Sequence, residues 1–257
     1  MRALIGYSGF VGSSLLRQTG FDATYRSSNI AEITGQHFDL IICAGAQAKK
    51  WMANKDPEWD LAGLNALMEP LKSVSCERFV LISTVDVYAD PVGVSESTPP
   101  KEDGLHAYGK HRLMLERFCA QQFATCHILR LAGLVGPGLS KNVIYDFHHD
   151  NNLEAIDARN RLQYYPMVNL WDDIETTIAH DLPLVHLTAE PLSSEEVARH
   201  GFHREFTHTV DKPTVTYDMQ SEHATLFGGQ GGYQYSKRES LMAIRAYAQS
   251  EPKKVEG

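Results

Sequence analysis

Leu4-Ile5-Gly6-Tyr7-Ser8-Gly9-Phe10-Val11-Gly12-Ser13-Ser14-Leu15-Leu16-Arg17 is the stretch that decides the fold. A short apolar run breaks at the first of three glycines, and an amphipathic helical pattern begins after the third. A strand that turns sharply into a helix points free backbone N–H groups and the positive end of the helix dipole at one place, and glycine lets a pyrophosphate approach the main chain there. The implied ligand is a dinucleotide, held by Gly6, Ser8, Gly9, Phe10, Val11 and Gly12. The spacing is GxxGxxG rather than the commoner GxGxxG, so the strand before and the helix after carry the reading.

The end of the next strand selects the dinucleotide. Gly20 is expected to close the helix and Ala23-Thr24-Tyr25 to form the second strand. An acidic side chain about 20 residues beyond the first glycine would hold a ribose 2′-hydroxyl. Arg26 stands at that place instead, followed by Ser27 and Ser28, a group suited to a 2′-phosphate. NADP is therefore favoured over NAD.

Composition bounds the remaining possibilities. A chain of 257 residues, 43% of them hydrophobic, can bury a full core as one large domain or as a domain with a small cap. No stretch approaches the ~20 apolar residues of a membrane span, and the first strand starts too early for a signal peptide. The net charge of −8 argues against nucleic-acid or acidic-membrane surfaces. Cys43, Cys76, Cys119 and Cys126 lack CxxC spacing and read as core residues in a reducing, cytoplasmic compartment. Among the twelve histidines, only His148-His149-Asp150 cluster, and adjacent helical side chains diverge, so no metal is expected.

Strands and helices alternate through the first half. Strand Phe38–Cys43 precedes a helix through Leu61–Leu71, and strand Arg78–Ser83 precedes a helix around Tyr108–Phe123 that leads into strand Thr125–Leu131. Short apolar strands separated by helices predict a Rossmann-like α/β fold, a doubly wound parallel sheet whose ligands lie at the carboxyl ends of the strands. Those ends are Ala44-Gly45-Ala46, Thr84 and the Leu131-Ala132-Gly133 step. After Gly136-Pro137-Gly138 the alternation weakens. The expected division is a dinucleotide-binding core of residues 1–137 plus about 167–190, with a small interleaved C-terminal cap of about 138–166 and 191–257. The tail Glu251–Gly257 is expected to fray.

Three further motifs follow in order: Ser83-Thr84-Val85-Asp86-Val87-Tyr88 after a strand, Tyr108-Gly109-Lys110-His111-Arg112 opening a helix, and Leu129-Arg130-Leu131-Ala132-Gly133-Leu134-Val135-Gly136-Pro137-Gly138 after another strand. With the opening glycines, this order resembles the extended short-chain dehydrogenase/reductase family of nucleotide-sugar epimerases, dehydratases and reductases. The resemblance covers residues 1 to about 138 and thins beyond, where Tyr164-Tyr165 through Ile174 looks like a later sheet-linked helix.

The resemblance implies that Thr84 positions the reacting oxygen and that Tyr108 is the acid/base. It also implies that Ala44, Gly45, Ala46, Leu131, Tyr108 and residue 112 lie along the cofactor. A phenol with a pKa near ~10 trades protons near neutrality only beside positive charge. The family's lysine, four residues after the tyrosine, is Arg112 here, a permanent charge on a planar fork. Either the catalytic cation has changed or the activity is reduced. Lys110, two residues from Tyr108, faces away and cannot replace it.

Two other departures stand out. The Asp-Glu pair of family dehydratases reads Val85-Asp86, which disfavours that chemistry and leaves Asp86 as a substrate-binding residue or a turn acid. Gly133 replaces a frequent asparagine, so Lys141 and Asn142 become candidate substrate contacts. The implied function is an NAD(P)-dependent oxidoreductase or epimerase that moves a hydride to or from a carbohydrate-like, nucleotide-sugar-related hydroxyl or carbonyl. The alternative is an NADP-binding sensor or interaction protein without turnover. The expected partner is a small-molecule substrate, and assembly into a homodimer is left open.

Overall fold

The computed structural model describes residues 1–253. In chain order the elements are β1 Arg2–Ile5, α1 Phe10–Gln18, β2 Ala23–Tyr25, β3 His37–Cys43, α2 Lys50–Lys55, α3 Pro57–Leu71, β4 Ser75–Thr84, β5 Val92–Val94 and α4 Ala107–Gln122. They continue with β6 Cys126–Leu131, β7 Gly133–Val135, α5 Val143–His149, β8 Arg161–Leu162, β9 Tyr164–Pro166, α6 Leu170–Ala179 and β10 Leu184–Leu187. The last four are β11 Leu192–Ser193, α7 Ser194–Phe202, β12 Asp218–Met219 and α8 Lys237–Ser250.

Two compact units result. The first comprises Met1–Asp90, Glu96–Leu131 and Trp171–His186. Its sheet has six strands in the order β10-β6-β4-β3-β1-β2, with parallel pairing from β6 through β2. The order reverses at β1, which lies between β2 and β3, and open α/β sheets bind ligands where their strand order reverses. The glycine turn leaves β1 at that point. Most of β3 and the centre of β4, Phe79 to Leu81, are buried. Phe38, Ile41, Phe79, Leu81, Leu115 and Cys119 share one core cluster, and Phe79 stacks on Phe123 with ring centroids 4.0 Å apart.

The second unit comprises Pro91–Ser95, Ala132–Leu170 and the chain from Leu187 onward. It consists of three two-stranded sheets, β11-β8, β12-β5 and β7-β9, with helices α5, α7 and α8. Among the described residues, no helix is long and apolar enough to cross a membrane.

Local chemistry accounts for three differences from the sequence reading. Helix α1 stops at Gln18, with Thr19 extended and its N–H donating to Leu15 O, so Gly20 is not the closing residue. The helix expected over Leu61–Leu71 begins earlier, at Pro57. Asp56 caps it by accepting the Trp59 N–H at 3.0 Å, and proline suits the first helical position. The tail is held at its start: the Glu251 carboxylate accepts the Gly138 N–H at 3.1 and 3.2 Å, and His148 Nε2 meets the Glu251 carbonyl at 2.9 Å. The remainder of the expected frayed segment, 254–257, lies outside the described residues.

Candidate active site

The opening turn is built by backbone packing. Gly6 adopts φ +86° and donates its N–H to Tyr25 O at 2.7 Å. A Cβ at Gly6 would stand 2.2 Å from Ala44 O, and one at Gly12 would stand 2.2 Å from Gly6 O, whereas one at Gly9 would meet nothing closer than 3.5 Å. The outer glycines therefore let the turn close, and the middle one leaves its face open. Gly9 is also the N-cap of α1, with no capping side chain and no acid in the first turn. The first-turn N–H groups thus point their partial positive charge at a place that no side chain of the cap fills, a cradle that fits a phosphate.

This contrast separates two substitutions. Gly12→Ala is expected to cost about 1–3 kcal/mol by forcing the turn apart, read from denaturant midpoints. Gly9→Ala should leave stability within about 1 kcal/mol of the parent and act on nucleotide affinity instead.

Arg26 follows β2 directly. Its backbone N–H donates to Asn29 Oδ1 at 2.7 Å and its Nε to Ser28 Oγ at 2.9 Å. Its guanidinium carbon lies 6.0 Å from the centroid of the Tyr7 ring in the glycine turn. Arg26, Ser27 and Ser28 are exposed. Tyr7 and Asn29 had no role in the sequence reading. Ala44, Gly45 and Ala46, half-buried, continue from β3, and burial pushes the thiol of the preceding Cys43 up to about 11.

A second cluster forms where β4 ends. Thr84 Oγ1 accepts the Asp86 N–H at 3.2 Å and lies 3.4 Å from Asp86 Oδ2. In the sheet Thr84 is paired with Leu131, the buried last residue of β6. Helix α4 comes close because residue 109 is glycine: a Cβ there would sit 2.2 Å from Asp86 O. His106 caps the helix by accepting the Gly109 N–H at Nδ1, 3.0 Å away, and Asn54 Oδ1 accepts the Tyr108 N–H at 3.0 Å. These contacts hold the start of α4, with Tyr108 in it, against the Asp86 backbone.

Arg112 lies over the Tyr108 ring, its Cζ 4.2 Å from the centroid. Its Nη1 and Nη2 donate to Asp60 Oδ2 and Oδ1 at 3.0 and 2.9 Å, and Nη2 also reaches Gln47 O at 2.5 Å. The side chains of Arg112 and Asp60 are each 3% exposed, and Arg112 Nε is buried without a partner. His111 Nδ1 adds a contact to Asp60 Oδ2 at 2.8 Å. Burial pushes the Asp60 carboxyl up, but the bonds from Arg112 and His111 outweigh it and the net shift is downward. For Tyr108, burial is the largest influence and leaves the phenol above its usual value despite Arg112. The sequence expectation of a phenol lowered by its neighbour is therefore not met by these groups alone, because Asp60 faces the same cation and burial penalises the phenolate.

Beneath the cluster, Arg130 donates from Nε and Nη2 to Glu116 at 3.0 and 2.7 Å and from Nη1 to the Tyr88 hydroxyl at 2.6 Å. Ser83 Oγ donates to Glu116 Oε1 at 2.5 Å. These bonds tie β4, α4 and β6 together. Lys50, Asp60, His106 and Glu116 were absent from the sequence reading. Asp60 had a readable signal, since it shares a buried stripe with Leu64, Leu67, Met68 and Leu71 on α3, where an acid calls for a partner.

The remaining candidates belong to the second unit. Asn142 caps α5, Oδ1 accepting the Ile144 and Tyr145 N–H groups at 2.9 and 3.3 Å and Nδ2 donating to Leu134 O at 2.9 Å. Its amide is thus engaged in building the loop. Lys141 beside it is exposed. Gly133 pairs with Tyr164, and a Cβ there would lie 2.5 Å from Gln163 O. No asparagine fits this backbone. His148 is buried in α5, and among the described residues no group of His, Cys, Asp or Glu is placed to hold a metal.

Comparison with known proteins adds a family and a set of structural neighbours. The sequence model of the family described as NAD dependent epimerase/dehydratase matches residues 16–156, more than half of the chain. Among curated proteins none matches significantly. Solved structures do align. MoeE5 in complex with UDP-glucuronic acid and NAD gives a TM-score of 0.74 at 17% identity, covering 96% of this chain and 98% of that one. RMD from Pseudomonas aeruginosa complexed with NADPH gives 0.70 at 18%, covering 97% and 99%. A dTDP-4-dehydrorhamnose reductase from Clostridium acetobutylicum gives 0.72 at 16%, covering 97% and 99%. At these identities the likeness is one of fold.

Proposed function

This chain belongs to the NAD-dependent epimerase/dehydratase family, and from that premise we propose that it is an NADP-dependent oxidoreductase or epimerase acting on a hydroxyl or carbonyl of a carbohydrate-like substrate, in the nucleotide-sugar class. The enzyme is of the extended short-chain dehydrogenase/reductase type. The observation that supports the reading is the close approach of α4 to Asp86 O that Gly109 allows, with Tyr108 in the first turn of that helix and Thr84 two residues before Asp86 at the carboxyl end of β4.

The open face at Gly9 and the uncapped start of α1 fit the pyrophosphate, and Arg26 with Ser27 and Ser28 fits a 2′-phosphate. A nicotinamide bound there supplies the two-electron exchange. Thr84 Oγ1 holds the reacting oxygen, and the Tyr108 hydroxyl passes a proton to or from it. Burial holds the Tyr108 phenol in its protonated form at neutral pH, so the step it serves unaided is donation to a carbonyl oxygen. Arg112 braces the ring from its face. The core around the six-stranded sheet is assigned the nucleotide, and the cap, Lys141 included, the substrate. Four unpaired cysteines suit a reducing compartment such as the cytoplasm.

Neighbours that bind NAD and NADPH leave the choice of cofactor to Arg26. Calorimetric titration should show NADP binding more tightly than NAD, and Arg26→Asp should reverse the order by placing a carboxylate against the 2′-phosphate. Equal affinities in the parent would remove this role. The locked position of Arg112 favours a second reading, cofactor binding without turnover. Oxidation or reduction of bound cofactor by a panel of sugars separates the two.

A further inference from the structure

His111 and Arg112 lie three and four residues after Tyr108 on α4, on the flanks of the face that Tyr108 occupies. Both reach one buried carboxylate. Asp60 Oδ2 receives His111 Nδ1 at 2.8 Å and Arg112 Nη1 at 3.0 Å, and Oδ1 receives Arg112 Nη2 at 2.9 Å. The Arg112 guanidinium in turn lies over the Tyr108 ring, 4.2 Å from its centroid, and hydrogen-bonds the phenol. His111 is thus linked to the Tyr108 hydroxyl through two shared partners.

This bonding fixes which nitrogen of His111 titrates. An ionised carboxylate only accepts, and the Asp60 carboxyl is held below its ordinary range, so His111 Nδ1 carries a hydrogen. Nε2 is left to gain or lose the proton. The His111 side chain is 15% exposed against 3% for Asp60, so the imidazole keeps access to solvent. With His111 neutral, the Asp60 and Arg112 charges cancel. With a proton on Nε2, the trio carries one net positive charge beside Tyr108. The other charged and titratable groups here are His106 on α4, Lys50 on α2 and Asp86 after β4. Lys50 Nζ lies 2.7 Å from Asp86 Oδ1, and these two offset each other. His106 accepts the Gly109 N–H at Nδ1 and is held below its ordinary value, first by burial and then by Lys50. It adds no charge near neutral pH.

We propose that His111 is a positioning residue for proton transfer by Tyr108: a proton taken from solvent at Nε2 draws the Asp60 carboxylate toward the imidazolium and leaves more of the Arg112 charge to the phenol. The proposal rests on the reading of Tyr108 as the acid/base. His111 passes no proton on. The proton that reaches the carbonyl oxygen leaves the Tyr108 hydroxyl, and the added charge steadies the phenolate that remains. Carbonyl reduction therefore gains speed as pH falls through the histidine range.

Two variants hold the trio in opposite states. His111→Gln keeps a donor for Asp60 but takes up no proton, and His111→Lys stays charged. With tyrosine isotope-labelled at its ζ carbon, the Tyr108 resonance is the one missing from Tyr108→Phe. In the parent it should move in one step between about pH 5.5 and about pH 7.5, and in both variants it should stay still over that range. From about pH 8 to about pH 6, kcat for carbonyl reduction should rise about threefold more in the parent than in His111→Gln, with KM alike in both. His111→Lys should hold the faster rate throughout. A Tyr108 resonance that is still in the parent, a step that persists in the variants, or parallel kcat profiles would each overturn the proposal. If Tyr108→Phe keeps the turnover of the parent, the acid/base reading fails instead, and the resonance still decides whether the charge of His111 reaches Tyr108.

Discussion

Asp60→Ala is expected to destabilise the protein by about 3–5 kcal/mol, because it leaves the Arg112 guanidinium buried without its counter-charge. Both side chains are 3% exposed, so water cannot take over the lost bonds. Chemical denaturation monitored by circular dichroism measures the loss, and a variant within about 1 kcal/mol of the parent would show that the pair is worth far less than its geometry suggests. The double change Asp60→Leu with Arg112→Met should recover most of the stability, since it removes both charges at once. The pH dependence has a defined sign. The Asp60 carboxyl is lowered in the folded chain, so its contribution is present above the ordinary carboxylate range near ~4 and is lost as pH falls through its folded value. The alanine variant should therefore lose less stability than the parent on acidification.

Tyr108→Phe is expected to lower turnover by about 10²–10⁴-fold, the range that a positioned proton donor supplies. The ring and its stacking on Arg112 survive the change, so NADP affinity should stay within about twofold. Absorbance of the nicotinamide, with whichever sugar of a panel the parent turns over, follows the reaction. A loss of less than tenfold would assign the proton transfer to another group. With the phenol above its usual value in the cofactor-free protein, loss of the hydroxyl should weigh most on the direction in which a carbonyl is reduced.

Sequence alone carried the fold because its signals are local. The glycine turn, the short apolar strands and the helices between them each occupy one stretch of chain, and a parallel sheet is what such units build. The positions of Thr84, Tyr108 and Gly109 were legible for the same reason. What holds them was not. Asp60 and Arg112 are 52 residues apart, Lys50 and Asp86 are 36 apart, and neither pair has a fixed spacing that marks it before the sheet brings β3 and β4 side by side. Asn142 has a structural role that its sequence context did not reveal. A polar residue in a loop after a glycine-rich turn reads as a ligand contact, and its side chain also caps the start of α5, as asparagine at an N-cap commonly does. Gly133 was read as a lost substrate contact, whereas its neighbour strand's carbonyl already fills the space a side chain would need.

The clasp between Asp60 and Arg112 also bears on how this chain can change over time. Each charge strands the other if it is exchanged alone, and a lysine at 112 could not form the fork that spans both carboxylate oxygens and the Gln47 carbonyl. The two positions are therefore coupled: a chain holding this pair can acquire a lysine at position 112 only through a weakened intermediate or by altering both sites together.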